Sequence, residues 1–337
     1  LRRLAVEVQE DLKTGPARAI SDLKELQKIV LNRRALNIDL TLGRGNLEEI
    51  RPLLVRFLES VPDNAYPEPV TEVDSGRAPF MENLRRRNNL GSAGFPWYVG
   101  LDDPRNTTAN VIFYADFPGY SHLDHNSLLQ ALSSKLVSGS GPHSVFMKAE
   151  EDGLAYGSSI SSDSSLRLLR FYAGRSPDVA SLIELVNSIV TTIPQDDNLI
   201  DYALEGTFSP PRSMLTFTER GKAIAKDIRD GNDPEQVRQF SQAILRLRGE
   251  PNLLSELTKT ALDSMCPVLV RKECEQQQRE ARSLFFVVGP ERLLADTENR
   301  LPITKLLRLY PSDFWFDFWG PPTQGASQYP NPGHPSP

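Results

Sequence analysis

Two cysteines and four histidines in 337 residues leave little material for a disulfide framework or a metal cluster. Cys266 and Cys274 lie eight apart in a stretch that reads as helical. That spacing fits neither a C-x-x-C knuckle nor a disulfide framework, so both read as ordinary helix residues. No run of eighteen apolar residues exists, and nothing reads as a membrane-spanning helix. Lysine and arginine (38) are outnumbered by aspartate and glutamate (44), a formal charge of −6 that disfavours a general nucleic-acid or anionic-membrane surface. The glycine turn Ser138-Gly-Ser-Gly-Pro142 lacks the Lys-Ser/Thr of a phosphate loop and the spacing of a dinucleotide fingerprint. It reads as a tight turn. No Ser/His/Asp arrangement stands out either.

What is present is an ordinary globular composition, 39% hydrophobic and 24% charged, in a chain longer than one typical domain. Leu1-Arg-Arg-Leu leads into a charged helix instead of an apolar signal core, so the sequence reads as a fragment or processed product of something longer.

Periodicity divides it. Residues 17 to 31 put Ile20, Leu23, Leu26, Ile29 and Val30 on one helical face. Leu36, Ile38, Leu40 and Leu42 then alternate with polar residues as in a half-buried strand, stopped by Gly43 and Gly45. Asn46 followed by Glu49 has the form of a capping box and opens a second amphipathic helix, with Pro52 marking its first turn. A similar unit returns late: one or two helices over 251–280, a buried strand Ser283–Val288, and Gly289-Pro290 before another helix. The two copies suggest an internal duplication. Between them, residues 63–94 are rich in Pro, Asn, Asp and Gly, without a sustained period.

The expected division is therefore 1–62 as the end of one domain, 63–94 as a linker, 95–310 as a complete domain, and 311–337 as an aromatic, then proline-rich tail. Within the complete domain the pattern predicts a strand at Val111–Phe117, a helix at Ser127–Val137, a strand entered after Gly153-Leu-Ala-Tyr156, and a strand at Ser164–Tyr172. Ser176-Pro177-Asp178 reads as the N-cap and first turn of a helix carrying Val179, Leu182, Ile183, Val186 and Ile189. Asn232-Asp233-Pro234-Glu235 starts another, ended by Gly249.

The run from Leu128 to Val190, with its helix, Ser-Gly-Pro turn, Gly153-Leu-Ala-Tyr156, strand, and Ser176-Pro-Asp before an amphipathic helix, resembles the insulinase/pitrilysin (M16) zinc peptidases. The likeness extends over about 35–310 and is nearest to the large members built of four homologous domains, such as presequence-degrading proteases. It implies an α/β fold of the α+β type, helices packed on a largely antiparallel sheet, with this chain holding the end of the third domain and all of the fourth. The family's zinc sits on an H-x-x-E-H helix in the first domain. That motif is absent here. The resemblance thus implies no metal in this chain, zinc in an N-terminal half or partner subunit, and peptide enclosed between the halves.

The family's fourth domain contributes a tyrosine and an arginine that reach the zinc-bound substrate, where donors aimed at developing oxyanion charge can contribute roughly 2.7–4 kcal/mol. Tyr156 matches the tyrosine. The arginine sits seven residues earlier, where this sequence has Ala149; Lys148, one place away, would replace it only with a one-residue bulge, and lysine lacks the planar fork of arginine. The chain alone is not expected to hydrolyse peptides. A catalytically inactive binding or assembly subunit is the alternative.

Other candidates have ordinary readings. His122-Leu-Asp-His125 could share an ion with Asp124 in the outer shell, but no third ligand stands at usable spacing and the position suits helix capping. Glu150-Glu151-Asp152 and Arg85-Arg86-Arg87 read as solvated charge. Phe314-Trp-Phe-Asp-Phe-Trp319 reads as an aromatic cluster docked on the body, before an extended tail.

Overall fold

The computed structural model describes residues 8–9, 12–13, 15–43, 45–63, 94–208, 216–303 and 305–310. Residues 64–93 of the expected linker, including the Arg85–Arg87 run, and the 314–319 aromatics lie outside these. The chain divides into two compact units.

The first holds the described residues up to 63 together with 216–225. Helix α1 (Pro16–Val30) matches the amphipathic pattern and buries no residue. Helix α2 (Asn46–Ser60) likewise buries none. Its N-cap is Gly45, without a side-chain cap, so Asn46 is inside the helix and the expected capping box is not formed. Pro52 lies in the helix interior, not its first turn. Residues 36–43 form no strand. Alternation supplies one apolar face, but a strand also needs a partner for its backbone groups. A short 3₁₀ turn, Arg33–Ala35, is held by the Asn32 side chain, which accepts from the Arg34 N–H at 3.1 Å, and by an Arg34–Asp63 ion pair at 2.9 Å. Gly221 lies against Thr41 so closely that a Cβ at 221 would meet its hydroxyl oxygen at 1.8 Å.

The second unit is built on a six-stranded sheet. Strands β1 (Trp97–Asp102), β2 (Ala109–Asp116), β3 (Gly157–Asp163), β4 (Leu168–Ser176), β5 (Leu284–Gly289) and β6 (Leu307–Leu309) are ordered β3-β4-β2-β5-β1-β6. The β3/β4, β4/β2 and β2/β5 pairs are antiparallel; β5/β1 and β1/β6 are parallel. The expected largely antiparallel sheet with packed helices is therefore present. β1 was not anticipated from the sequence. The strand expected at Ser164–Tyr172 is β4 from Leu168 on, and its first four residues form the hairpin turn: the Asp163 carboxylate accepts from the Ser165 and Leu166 N–H groups at 2.8 and 3.0 Å, and Arg167 has φ 53°. An Asx-type turn ends one strand and starts the next.

Register explains the core. Phe113 on β2 stands opposite Phe171 on β4 and Phe285 on β5, with ring centroids 5.5 and 4.7 Å apart. Tyr98 on β1 stacks on Phe285 at 4.6 Å. Helices α3 (His125–Ser133), α5 (Val179–Thr191), α8 (Pro234–Leu247) and α9 (Leu253–Met265) add Leu132, Leu182, Ile244, Leu257 and Met265 to the same core. A smaller cluster, Trp97, Val99, Leu307 and Leu309, gathers on β1 and β6.

Four of the helix starts are capped by side chains. Asp124, Asp178 and Asp233 are N-caps whose carboxylates accept backbone N–H bonds, and Ser144 caps the short helix α4 (Val145–Glu151). The cap before α5 is thus Asp178, not Ser176, which is the last residue of β4.

Cys266 and Cys274 form a disulfide, contrary to the reading as ordinary helix residues. The reason is local: α9 ends at Met265, Pro267 lies in a 3₁₀ turn, and a second 3₁₀ turn at Lys272–Cys274 brings the chain back. Beyond it run helix α10 (Glu275–Glu280) and, after β5, helix α11 (Glu291–Arg300). Among the described residues no helix is long and apolar enough to cross a membrane.

Candidate functional site

Tyr156 is placed by three backbone features. Helix α4 terminates when the Leu154 and Ala155 N–H groups both donate to the Ala149 carbonyl, at 2.9 and 3.2 Å. Gly153, at φ 65°, makes the reversal without a Cβ penalty. The Tyr156 N–H then donates to the Gly174 carbonyl at 3.0 Å, which aligns the start of β3 along β4. β3 is an edge of the sheet, and the Tyr156 side chain is 74% exposed. Among the described residues its hydroxyl has no hydrogen-bond partner.

The cation at this tyrosine is one the sequence reading missed. Where β4 pairs with β2, Val111 stands opposite Ala173 but Ala109 opposite Ser176, so β4 carries one extra residue, a bulge at Gly174-Arg175. Arg175 adopts φ 55°, and its N–H donates to the Asn110 side-chain oxygen at 3.2 Å. The bulge turns its guanidinium over the Tyr156 ring, with Cζ 5.0 Å from the centroid. Gly174 fits for a steric reason: a Cβ there would meet the Tyr172 hydroxyl at 2.7 Å. Nothing in one-dimensional periodicity reports such a bulge; the one available hint is a glycine before an arginine within an apolar strand.

Lys148 and Ala149 sit on α4. Lys148 lies in a regular turn, its N–H donating to the Ser144 carbonyl at 3.1 Å, and its ammonium pairs with Glu151 at 3.0 Å. Ala149 is fully buried. The acidic residues Glu150, Glu151 and Asp152 are exposed.

The Ser138–Pro142 segment is a turn closed by a side chain. The Tyr202 hydroxyl, on helix α6 (Asn198–Phe208), donates to the Ser138 carbonyl at 2.6 Å and accepts from the Gly141 N–H at 3.1 Å. The amide that a phosphate would need is already engaged. His143 packs its ring on Tyr202 at 4.7 Å, and burial holds its pKa below the ordinary imidazole value.

In His122-Leu-Asp-His125, Asp124 is a cap: the Ser127 N–H and hydroxyl bond its carboxylate at 2.9 and 2.7 Å, which holds its pKa below the usual carboxylate range. The two histidines do not converge on common partners. His122 Nδ1 lies 3.2 Å from the Gly119 N–H, while His125 faces Glu250 and Glu256. A small cavity lined by Tyr98, Phe113, Ile183 and Phe285 measures about 10 Å³, room for one water at most.

No protein-family model matches the chain. No curated protein does either. Solved structures share parts of its trace at low identity. The peptidase M16 inactive domain from Pseudomonas fluorescens superposes with a TM-score of 0.43 and 12% identity, over 74% of this chain and 51% of that one. A protease from Helicobacter pylori gives 0.43 and 14%, over 74% and 53%. The first half of the periplasmic protease PqqL from Escherichia coli gives 0.38 and 14%, over 78% and 55%. The chain spans about half the length of each of these structures.

Proposed function

We propose that the chain is an M16-type peptidase domain without the catalytic H-x-x-E-H motif, which pairs with a zinc-bearing half and presents Tyr156 and Arg175 to a peptide enclosed between them. The observation that carries this is the Tyr156–Arg175 pair: an exposed phenol and an exposed guanidinium held together by a bulge at the edge of the sheet. Two donors fixed by backbone geometry suit a developing oxyanion, because they need little reorganisation as charge forms. The order of motifs from Leu128 to Val190 supports the family reading. Arg175, rather than Lys148, stands as the cation that replaces the arginine missing at Ala149. Edge strand β3 adds backbone groups that an extended peptide can pair with. In this reading residues 1–62 belong to a preceding homologous domain.

The second reading, an inactive binding or assembly subunit, is favoured by one fact: Ala149 is sealed in the core, so no side chain from that position reaches a substrate. Kinetics with the H-x-x-E-H half separate the two. If Tyr156 and Arg175 act in the transition state, Tyr156→Phe and Arg175→Ala lower kcat by roughly 10²–10³ with little change in KM. Turnover unchanged in both variants leaves the inactive reading.

A further inference from the structure

The structure brings to His125 the ligands its own sequence neighbourhood lacks. His125 is the first residue of α3, Glu250 follows α8, and Glu256 lies in the first turn of α9. A Glu250 carboxylate oxygen is 3.9 Å from Nδ1, and a Glu256 oxygen is 3.5 Å from Nε2. One ligand atom from each residue falls within 4.8 Å of the other two. Among the described residues neither carboxylate has a lysine or arginine within ion-pair distance.

We propose that His125, Glu250 and Glu256 form a binding site for one divalent transition cation of the zinc class. Three observations converge. The donor set is one imidazole and two carboxylates, which suits zinc and its neighbours and not calcium or magnesium, whose sites are built from oxygen. With the imidazole neutral, the two carboxylates carry the charge that a divalent ion cancels. Their positions are fixed by the fold: α3 and α9 lie against each other, joined by a buried Ser133–Ser264 hydroxyl contact at 2.9 Å. Ligand atoms around a tetrahedral zinc lie about 3.4 Å apart, given metal–ligand distances of about 2.0–2.1 Å. The ion takes one ring nitrogen of His125, rotation of the glutamate side chains brings both carboxylates to that nitrogen, and water fills the fourth position. The ion clips the start of α3 to the start of α9 across more than a hundred residues of sequence, so binding stabilises the folded state by mass action.

The test is a zinc titration of the EDTA-stripped chain by calorimetry, with thermal unfolding in parallel. The expected result is one zinc per chain and a rise in Tm on the order of a few degrees at tenfold excess over Kd. His125→Ala and Glu256→Gln should each weaken zinc binding by about 10-fold or more, the scale of effect seen when even the groups supporting a ligand are lost. His122→Ala should leave the isotherm unchanged. The glutamine variant is isosteric on a half-exposed side chain, so it tests the site even if His125→Ala unfolds. Absence of a saturable isotherm, equal binding of calcium, or an undiminished affinity in Glu256→Gln overturns the proposal. Loss of binding in His122→Ala would also overturn it, in favour of the histidine pair.

Discussion

Helices α1 and α2 carry apolar stripes as regular as those of α5 and α8, yet the first pair buries no residue while α5 alone buries Val179, Leu182, Ile183, Val186 and Val190. The difference is not in the helices. α5 packs in the same core as Phe113, Phe171 and Phe285, whereas Leu23, Leu26 and Phe57 remain exposed among the described residues. An amphipathic pattern specifies a face, and only a second apolar surface converts that face into stabilisation. The end caps divide the same way: α3, α5 and α8 begin at aspartates that accept backbone bonds, while α1 and α2 begin at glycines that cap nothing.

The sharpest way to break this comparison is to truncate one phenylalanine in each region. Phe113→Ala removes a ring held between Phe171 and Phe285 and should cost about 3–5 kcal/mol. Phe57→Ala on α2 should stay within about 0.5 kcal/mol, because the ring is half exposed. Urea unfolding of both variants checks the contrast, and equal losses would mean that α2 is covered in solution. The disulfide comes next. It closes a short loop between two core cysteines, so Cys266→Ser with Cys274→Ser should lower stability by about 2–3 kcal/mol. Melting with and without reductant measures it.

A third test uses charge. Lys135, after α3, donates its ammonium to the Ser162 carbonyl at 2.9 Å, and burial pulls its pKa from 10.5 down to about 8 despite the nearby Asp163. Below pH 8 the lysine is charged whether folded or unfolded, and the penalty of burying that charge is fully present. Between about pH 8 and 10.5 the unfolded chain holds a proton that the folded chain has released, so stability gains with pH across that window. Lys135→Met should remove this gain, leaving a flatter stability curve from pH 8 to 10.5. A curve as steep as the parent's would show that the ammonium is solvated. Such a penalty arises only where a core exists to bury a charge, which α1 and α2 do not provide.

How much of this could be read from the sequence follows the same line. The strand at Val111–Phe117, the stripe on α5 and the start of α8 were legible because local pattern and tertiary burial agree there. The strand expected over 36–42 failed because alternation cannot say whether a partner strand exists. The strand expected at Ser164–Tyr172 is β4 from Leu168 on; its first four residues differ because Asp163 and Arg167 make a hairpin turn there. At the candidate site, Tyr156 and Lys148 could be named, but Arg175 could not: its place beside Tyr156 depends on one extra residue in the β2/β4 register. The disulfide and the His125 cluster were missed for a related reason, since both depend on where chain turns bring distant or reversed segments together.

The smallest test concerns the caps. Asp178 accepts from the Ser181 N–H and hydroxyl at 2.9 and 2.8 Å and pairs with Arg300 of α11 at 3.0 Å. Replacing it with alanine leaves the start of α5 uncapped and should cost about 1 kcal/mol. Gly45 is the opposite case. It has helical angles, φ −68° and ψ −28°, and open space where a Cβ would point. Gly45→Ser should therefore stabilise by about 0.4–1 kcal/mol, because a side chain at this N-cap restricts the unfolded chain without straining the folded one, and serine, unlike alanine, supplies a cap acceptor. The pair is informative in sign: a loss at 178 with a gain at 45, read from urea midpoints at unchanged slope, means that the start of α5 is already specified and the start of α2 is not. Destabilisation by Gly45→Ser would instead place a neighbour against α2's first turn and remove the contrast between the two regions.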